Sequence, residues 1–131
     1  MKILLARTAG FCFGVNKAIN RVYRLLEEGS KDIYTLGPII HNEQMIDELR
    51  QKGVNIISDV SRAPENSKVV IRTHGVTSEV YREMENRNIE VIDLTCPYVK
   101  KIHKLVSKMY VEGHTIVIAG DKNHPEVVGI N

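Results

Sequence analysis

The stretch Val69-Val70-Ile71-Arg72-Thr73-His74-Gly75-Val76 runs from strand-like apolar residues, through a histidine and a glycine, into the helix-spaced Val80, Tyr81 and Met84 behind a Thr77 cap. The same order recurs on both sides of it. Ile33-Tyr34-Thr35-Leu36 leads to His41, and Val91-Ile92-Asp93-Leu94 leads to Cys96. Ile3-Leu4-Leu5-Ala6 leads to Cys12, and Thr115-Ile116-Val117-Ile118-Ala119 leads to His124. Successive reactive residues stand 29, 33, 22 and 28 positions apart, roughly one strand-plus-helix unit each. Strands alternating with helices predict an α/β fold with a largely parallel sheet flanked by helices. In such a sheet the loops after the strand carboxyl ends gather on one side and hold the ligand. Cys12, His41, His74, Cys96 and His124 are therefore expected to converge on one cleft.

The helices read from apolar stripes and their end signals. Val15, Ala18, Ile19, Val22, Leu25 and Leu26 form one stripe that stops at Gly29. Met45, Ile46 and Leu49 follow an Asn42 cap and end at Gly53. Val99, Ile102, Leu105, Val106 and Met109 follow Cys96-Pro97 and stop at Gly113. A further strand is expected at Val54-Asn55-Ile56-Ile57, and Ser58 to Lys68 reads as a surface loop. The segment from His124 opens a helix and then stops, so residues 1 to about 96 are expected to form one near-complete lobe. Residues 97–131 then read as the start of a second, and the chain as truncated.

Composition narrows the function classes. The 131 residues are 43% hydrophobic and 26% charged with a net charge of +2, an ordinary globular balance that does not point to a polyanion. Two Phe and five Tyr form no stacking platform, which argues against nucleic acid. No apolar run reaches the length of a membrane span, and the amino-terminal one is too short for a signal peptide. Two distant cysteines do not make a secreted disulfide framework, so a cytoplasmic location is expected.

Cys12 sits in Ala9-Gly10-Phe11-Cys12-Phe13-Gly14, where glycines permit a tight turn and close backbone approach. Cys96 precedes Pro97, which is favourable at the first helical position and makes Cys96 the N-cap. The positive end of the helix dipole there favours the thiolate, the form that binds metal. The plain alternative is two small buried hydrophobes. His41 lies in Gly37-Pro38-Ile39-Ile40-His41-Asn42 and His124 in Asn123-His124-Pro125-Glu126, each just ahead of a helix, and His74 closes a strand beside Gly75. Imidazoles beside helix starts suit an anionic ligand, against the alternative of solvated loop histidines. His103 and His114 precede no helix start and receive no role. C-x-x-C and H-x-x-x-H pairs are absent, as are the dinucleotide and P-loop glycine patterns. The residues themselves lead to an anion-binding cleft with two candidate thiolate ligands.

These same segments, together with His124-Pro125-Glu126-Val127, closely resemble the LytB-type family of 4-hydroxy-3-methylbut-2-enyl diphosphate reductases, in the family's order along the whole chain. The resemblance implies three similar α/β lobes around a central cavity. It implies that Cys12 and Cys96 bind a [4Fe-4S] cluster whose remaining iron faces the substrate. It implies further that His41, His74 and His124 hold the diphosphate, that Glu126 supplies protons, and that ferredoxin or flavodoxin supplies electrons. The family uses three cysteines and is substantially longer, and this chain has two. Two other readings compete: a non-catalytic phosphate-binding lobe, and a zinc hydrolase built from Cys12, Cys96 and histidines.

Overall fold

Val69, Val70 and Ile71 have no exposed surface, as a strand covered on both faces requires. In the computed structural model, which describes residues 1–130, they form the middle of β3 (Lys68–Ile71). The remaining elements are α1 (Phe13–Glu27), β1 (Ile33–Leu36), α2 (Glu43–Gln51), β2 (Asn55–Ile57), α3 (Ser78–Asn86), β4 (Glu90–Asp93), α4 (Pro97–Val111) and α5 (Pro125–Ile130). The strands form one parallel sheet in the order β2-β1-β3-β4. Its register sets Leu36 beside Ile57 and Ile71, and Ile71 beside Asp93. The strand ends are therefore level, and the loops after them leave from one edge.

Alternation along the strands divides the core. Val70 and Ile33 pack with Ala18, Ile19, Val22 and Leu25 of α1 and Leu49 of α2 on one face. Val69, Ile71 and Leu36 pack with Met84 of α3, Val60, Ala63 and Ile89 on the other. Full burial of a side chain such as Leu25 or Met84 contributes roughly 1.5–3 kcal/mol. The glycine stops work as expected. Gly29 turns at φ 73°, and the N–H of Ser30 donates to the Leu25 carbonyl at 3.0 Å, satisfying a helix-end acceptor.

Three expectations need correction. Ile3–Ala6 and Thr115–Ala119 are not strands. Ile3, Leu4, Leu5 and Val117 remain at least 80% exposed, and without a neighbouring strand to complete a ladder an apolar run gains nothing by extending. The loop from Ser58 to Lys68 contains a 3-10 turn at Val60–Arg62 and ends in the first residue of β3. The stripe of α4 is buried only at Val99; Tyr98, Ile102 and Leu105 stay exposed.

Candidate functional site

Each turn beyond the level strand ends is held by specific bonds. After β1, the Gly37 N–H donates to the Ile57 carbonyl at 2.8 Å and Gly37 adopts φ 73°. Ile39 and Ile40 are buried, which anchors the loop and leaves His41 exposed at its tip. The Asn42 side chain then accepts from the Met45 N–H at 3.0 Å and caps α2. After β3, the Gly75 N–H donates to the Arg72 carbonyl at 3.1 Å, closing a turn around Thr73 and His74. After β4, the Cys96 N–H donates to the Thr73 carbonyl at 2.9 Å, which ties the Cys96 turn to the His74 turn.

The three histidines come together. The His41 and His74 ring centroids lie 5.5 Å apart, and those of His74 and His124 lie 6.0 Å apart. His124 reaches this cluster without a preceding strand. Asp121 instead makes the turn, accepting from the Asn123 N–H through its side chain and from the His124 N–H through its carbonyl, both at 2.9 Å. The His124 Nδ1 accepts the Glu126 N–H at 3.3 Å, so the neutral ring carries its proton on Nε2, as a donor. Glu126 is exposed in the first turn of α5.

His74, at the centre, is half-buried, and its Nδ1 is buried with no hydrogen-bond partner. Burial holds its pKa below the ordinary histidine range; Arg72, His41 and His124 add to the depression, and Glu126 opposes it. An anion arriving here would meet a histidine cluster with the Arg72 guanidinium beside it. That guanidinium lies over Gly37, where an added Cβ would stand 2.6 Å from Nη1. Gly37 thus serves both the turn's positive φ and the arginine's seat.

The cysteines are N-caps, Cys12 of α1 and Cys96 of α4, with Pro97 opening α4 as expected. Both are free; Cys12 is exposed and Cys96 half-buried, so neither is a small core residue. A Cβ on Gly14 would lie 3.1 Å from the Cys96 Sγ. The Cys96 thiol therefore rests on the first turn of the helix that Cys12 caps. Asp93 holds the Cys96 turn: it accepts from the Thr95 N–H at 2.9 Å, the Tyr81 hydroxyl at 3.0 Å and the Lys100 Nζ at 2.6 Å. Burial alone would raise the Asp93 pKa, but the Lys100 and Thr95 contacts outweigh it and lower it. Lys17, Lys100, Lys101 and Lys104, with Asp93, line a cavity of about 450 Å³ beside Gly14, Thr95 and Pro97. Among the described residues, no three His, Cys, Asp or Glu side chains form a complete metal-binding group. Two N-cap thiols, with the Cys96 sulfur resting on the first turn of the helix that Cys12 caps, fit as part of a cluster's ligand set, with a further ligand required from elsewhere.

Sequence reasoning missed two residues. Arg72 has the pattern of a strand end, and nothing local marks that its guanidinium folds back over Gly37. His103 received no role, yet it is half-buried and its Nε2 is enclosed without a partner. A signal existed: Val99 and Val106 flank it at four and three residues, on one face of α4.

Level parallel strand ends with a histidine cluster beyond them, and two thiols at neighbouring helix starts, define an α/β lobe with its reactive side chains at one edge of the sheet. The chain belongs to the LytB family, whose model, LytB protein, matches residues 3–131. It is 50% identical over its whole length to the 4-hydroxy-3-methylbut-2-enyl diphosphate reductase of Thermoanaerobacter sp. (strain X514), covering 46% of that protein. It is 40% identical to the same-named protein of Clostridioides difficile (strain 630), covering 47% of it. Among solved structures, an (E)-4-hydroxy-3-methyl-but-2-enyl diphosphate reductase superposes with a TM-score of 0.83 at 43% identity, over 98% of this chain and 45% of the other. The Plasmodium falciparum reductase superposes with a TM-score of 0.90 at 31% identity, over 95% of this chain and 39% of the other. The chain thus spans just under half the length of these relatives.

Proposed function

We propose that these residues are the amino-terminal part of a cytoplasmic reductase that converts 4-hydroxy-3-methylbut-2-enyl diphosphate to isopentenyl and dimethylallyl diphosphate. The observation that carries the reading is the histidine cluster, with rings 5.5 and 6.0 Å apart and the Cys96 turn bonded to the His74 turn, in a chain of the LytB family. The first lobe ends near residue 96, and residues 97–131 begin a second; the exposed Tyr98, Ile102 and Leu105 face of α4 supports that division.

Removing an allylic hydroxyl as water takes two electrons and two protons. An iron–sulfur cluster held by Cys12, Cys96 and a ligand outside these residues supplies electron transfer and a Lewis acid when bound. A small reductant such as ferredoxin or flavodoxin reduces it. The chain's own residues bind and deliver protons. His41, His74 and the Nε2–H of His124 grip the diphosphate, with Arg72 adding charge beside them. The diphosphate stabilises the protonated form of His74, so binding takes up a proton and weakens as pH rises. Glu126, next to His124, protonates the departing oxygen as general acid.

Anaerobic reconstitution with iron and sulfide, followed by absorbance and EPR, tests the reading. A stable cluster in the full-length protein and a labile one in residues 1–131 is the expected result. Stoichiometric zinc with no iron uptake would replace it with the zinc hydrolase, and neither metal with the phosphate-binding lobe.

A further inference from the structure

We infer that His103 is a positioning residue of the anion site, its ring the wedge that sets the His74 turn against α5. The inference rests on the histidine cluster being the diphosphate pocket. Two glycines face the ring from different elements. A Cβ on Gly75 would lie 2.9 Å from the His103 Cε1, and a Cβ on Gly129 would lie 3.4 Å from the same atom. Gly129 is buried and also faces the His74 carbonyl oxygen and the Gly75 carbonyl carbon, at 3.4 and 3.5 Å from its added Cβ. Helix α5 therefore lies on the His74–Gly75 peptide, and the imidazole fills the space that two side chains would otherwise occupy. One element of this seam carries His74, and the other carries His124 and Glu126.

Simple filling does not account for a histidine there. Its Nε2 is buried without a partner, and an apolar side chain would occupy the seam without leaving a polar atom unsatisfied. A flat, rigid ring between two bare Cα positions does something else: it fixes a separation. Without it, α5 and the turn can slide, and the 6.0 Å spacing of His74 and His124 is no longer held. Loss of a hydrogen bond between the anion and a displaced imidazole changes affinity by up to about 100-fold.

The test is calorimetric titration of the full-length protein with inorganic pyrophosphate, well below each variant's melting temperature. His74→Ala is run in parallel. His103→Ala is expected to weaken binding about tenfold, a misalignment well short of that limit. His103→Phe, which keeps a flat, rigid ring, recovers most of the affinity, and the exposed Lys108→Ala changes nothing. Wild-type affinity in His103→Ala, with only a lower melting temperature, overturns the inference and leaves the pocket reading intact. Wild-type affinity in His74→Ala overturns the pocket reading and the inference with it. If His103→Ala does not fold, Gly75→Ala decides, because its methyl would stand 2.9 Å from the same ring and force it aside. A several-fold loss supports the wedge, and unchanged binding overturns it.

Discussion

Gly75→Ala probes the packing under the histidine cluster, and its cost has two parts. Gly75 has φ 77°, a left-handed conformation that costs an L-residue about 1–2 kcal/mol. The new Cβ would also stand 2.9 Å from the His103 Cε1 and 3.1 Å from the Thr95 Cγ2. Thr95 is buried and His103 is wedged, so neither can swing into solvent; forced overpacking of this kind costs typically 1–3 kcal/mol, roughly. The sum is about 2–5 kcal/mol, a large share of the roughly 5–15 kcal/mol that holds a domain folded. Gly29→Ala separates the parts, because Gly29 has φ 73° but no atom within 4 Å of its added Cβ. It should lose only the conformational part, about 1–2 kcal/mol. Urea unfolding followed by far-ultraviolet circular dichroism measures both variants. In the Gly75→Ala/His103→Ala double variant the clash is relieved, so the combined loss should fall short of the summed single losses by roughly 0.5–3 kcal/mol. Equal losses at Gly75 and Gly29, or strict additivity with His103→Ala, would refute the packing described here.

Asn42→Ala removes the cap of α2 and should cost about 1 kcal/mol in the same unfolding assay, while Asn42→Asp stays near wild type. Burial, reinforced by Asp93, raises the Tyr81 pKa from 10.0 to about 12. A raised pKa contributes stability that is present below the unfolded value and lost as pH climbs through the folded one. Stability should therefore decline between pH 10.0 and about 12, and Tyr81→Phe should flatten that decline. Under the proposed function, Glu126→Gln keeps size and hydrogen-bonding reach but cannot release a proton. Single-turnover rates of the full-length protein should fall roughly 10²–10⁴-fold with pyrophosphate affinity unchanged; unchanged rates would remove Glu126 from that role.

Much of the architecture was legible because short-range rules decide it. The Val69–Ile71 run, the Asn42 cap, Pro97 after Cys96 and the glycine stops at Gly29 and Gly53 each act within a few residues. Ile3–Ala6 and Thr115–Ala119 misled because they carry the same apolar pattern, whereas a strand also needs a neighbour to complete its hydrogen bonds. His103 lies in the middle of α4, away from any helix start, so no local signal of a site marks it. Its importance comes from Gly75 and Gly129, which stand 28 residues before it and 26 after it.

The sequence by itself determined the helix positions, the parallel α/β class and the three positions, His41, His74 and Cys96, where a reactive side chain follows a strand. Each of those depends on periodicity, capping and φ preferences that a local stretch carries whole. Tertiary structure alone decided that Leu36, Ile71 and Asp93 end level, that His124 joins His41 and His74 without a strand before it, and that Arg72 and His103 stand beside them. Those relations depend on strand register and on how helices seat across a buried seam, which only the packing of residues distant in sequence can set.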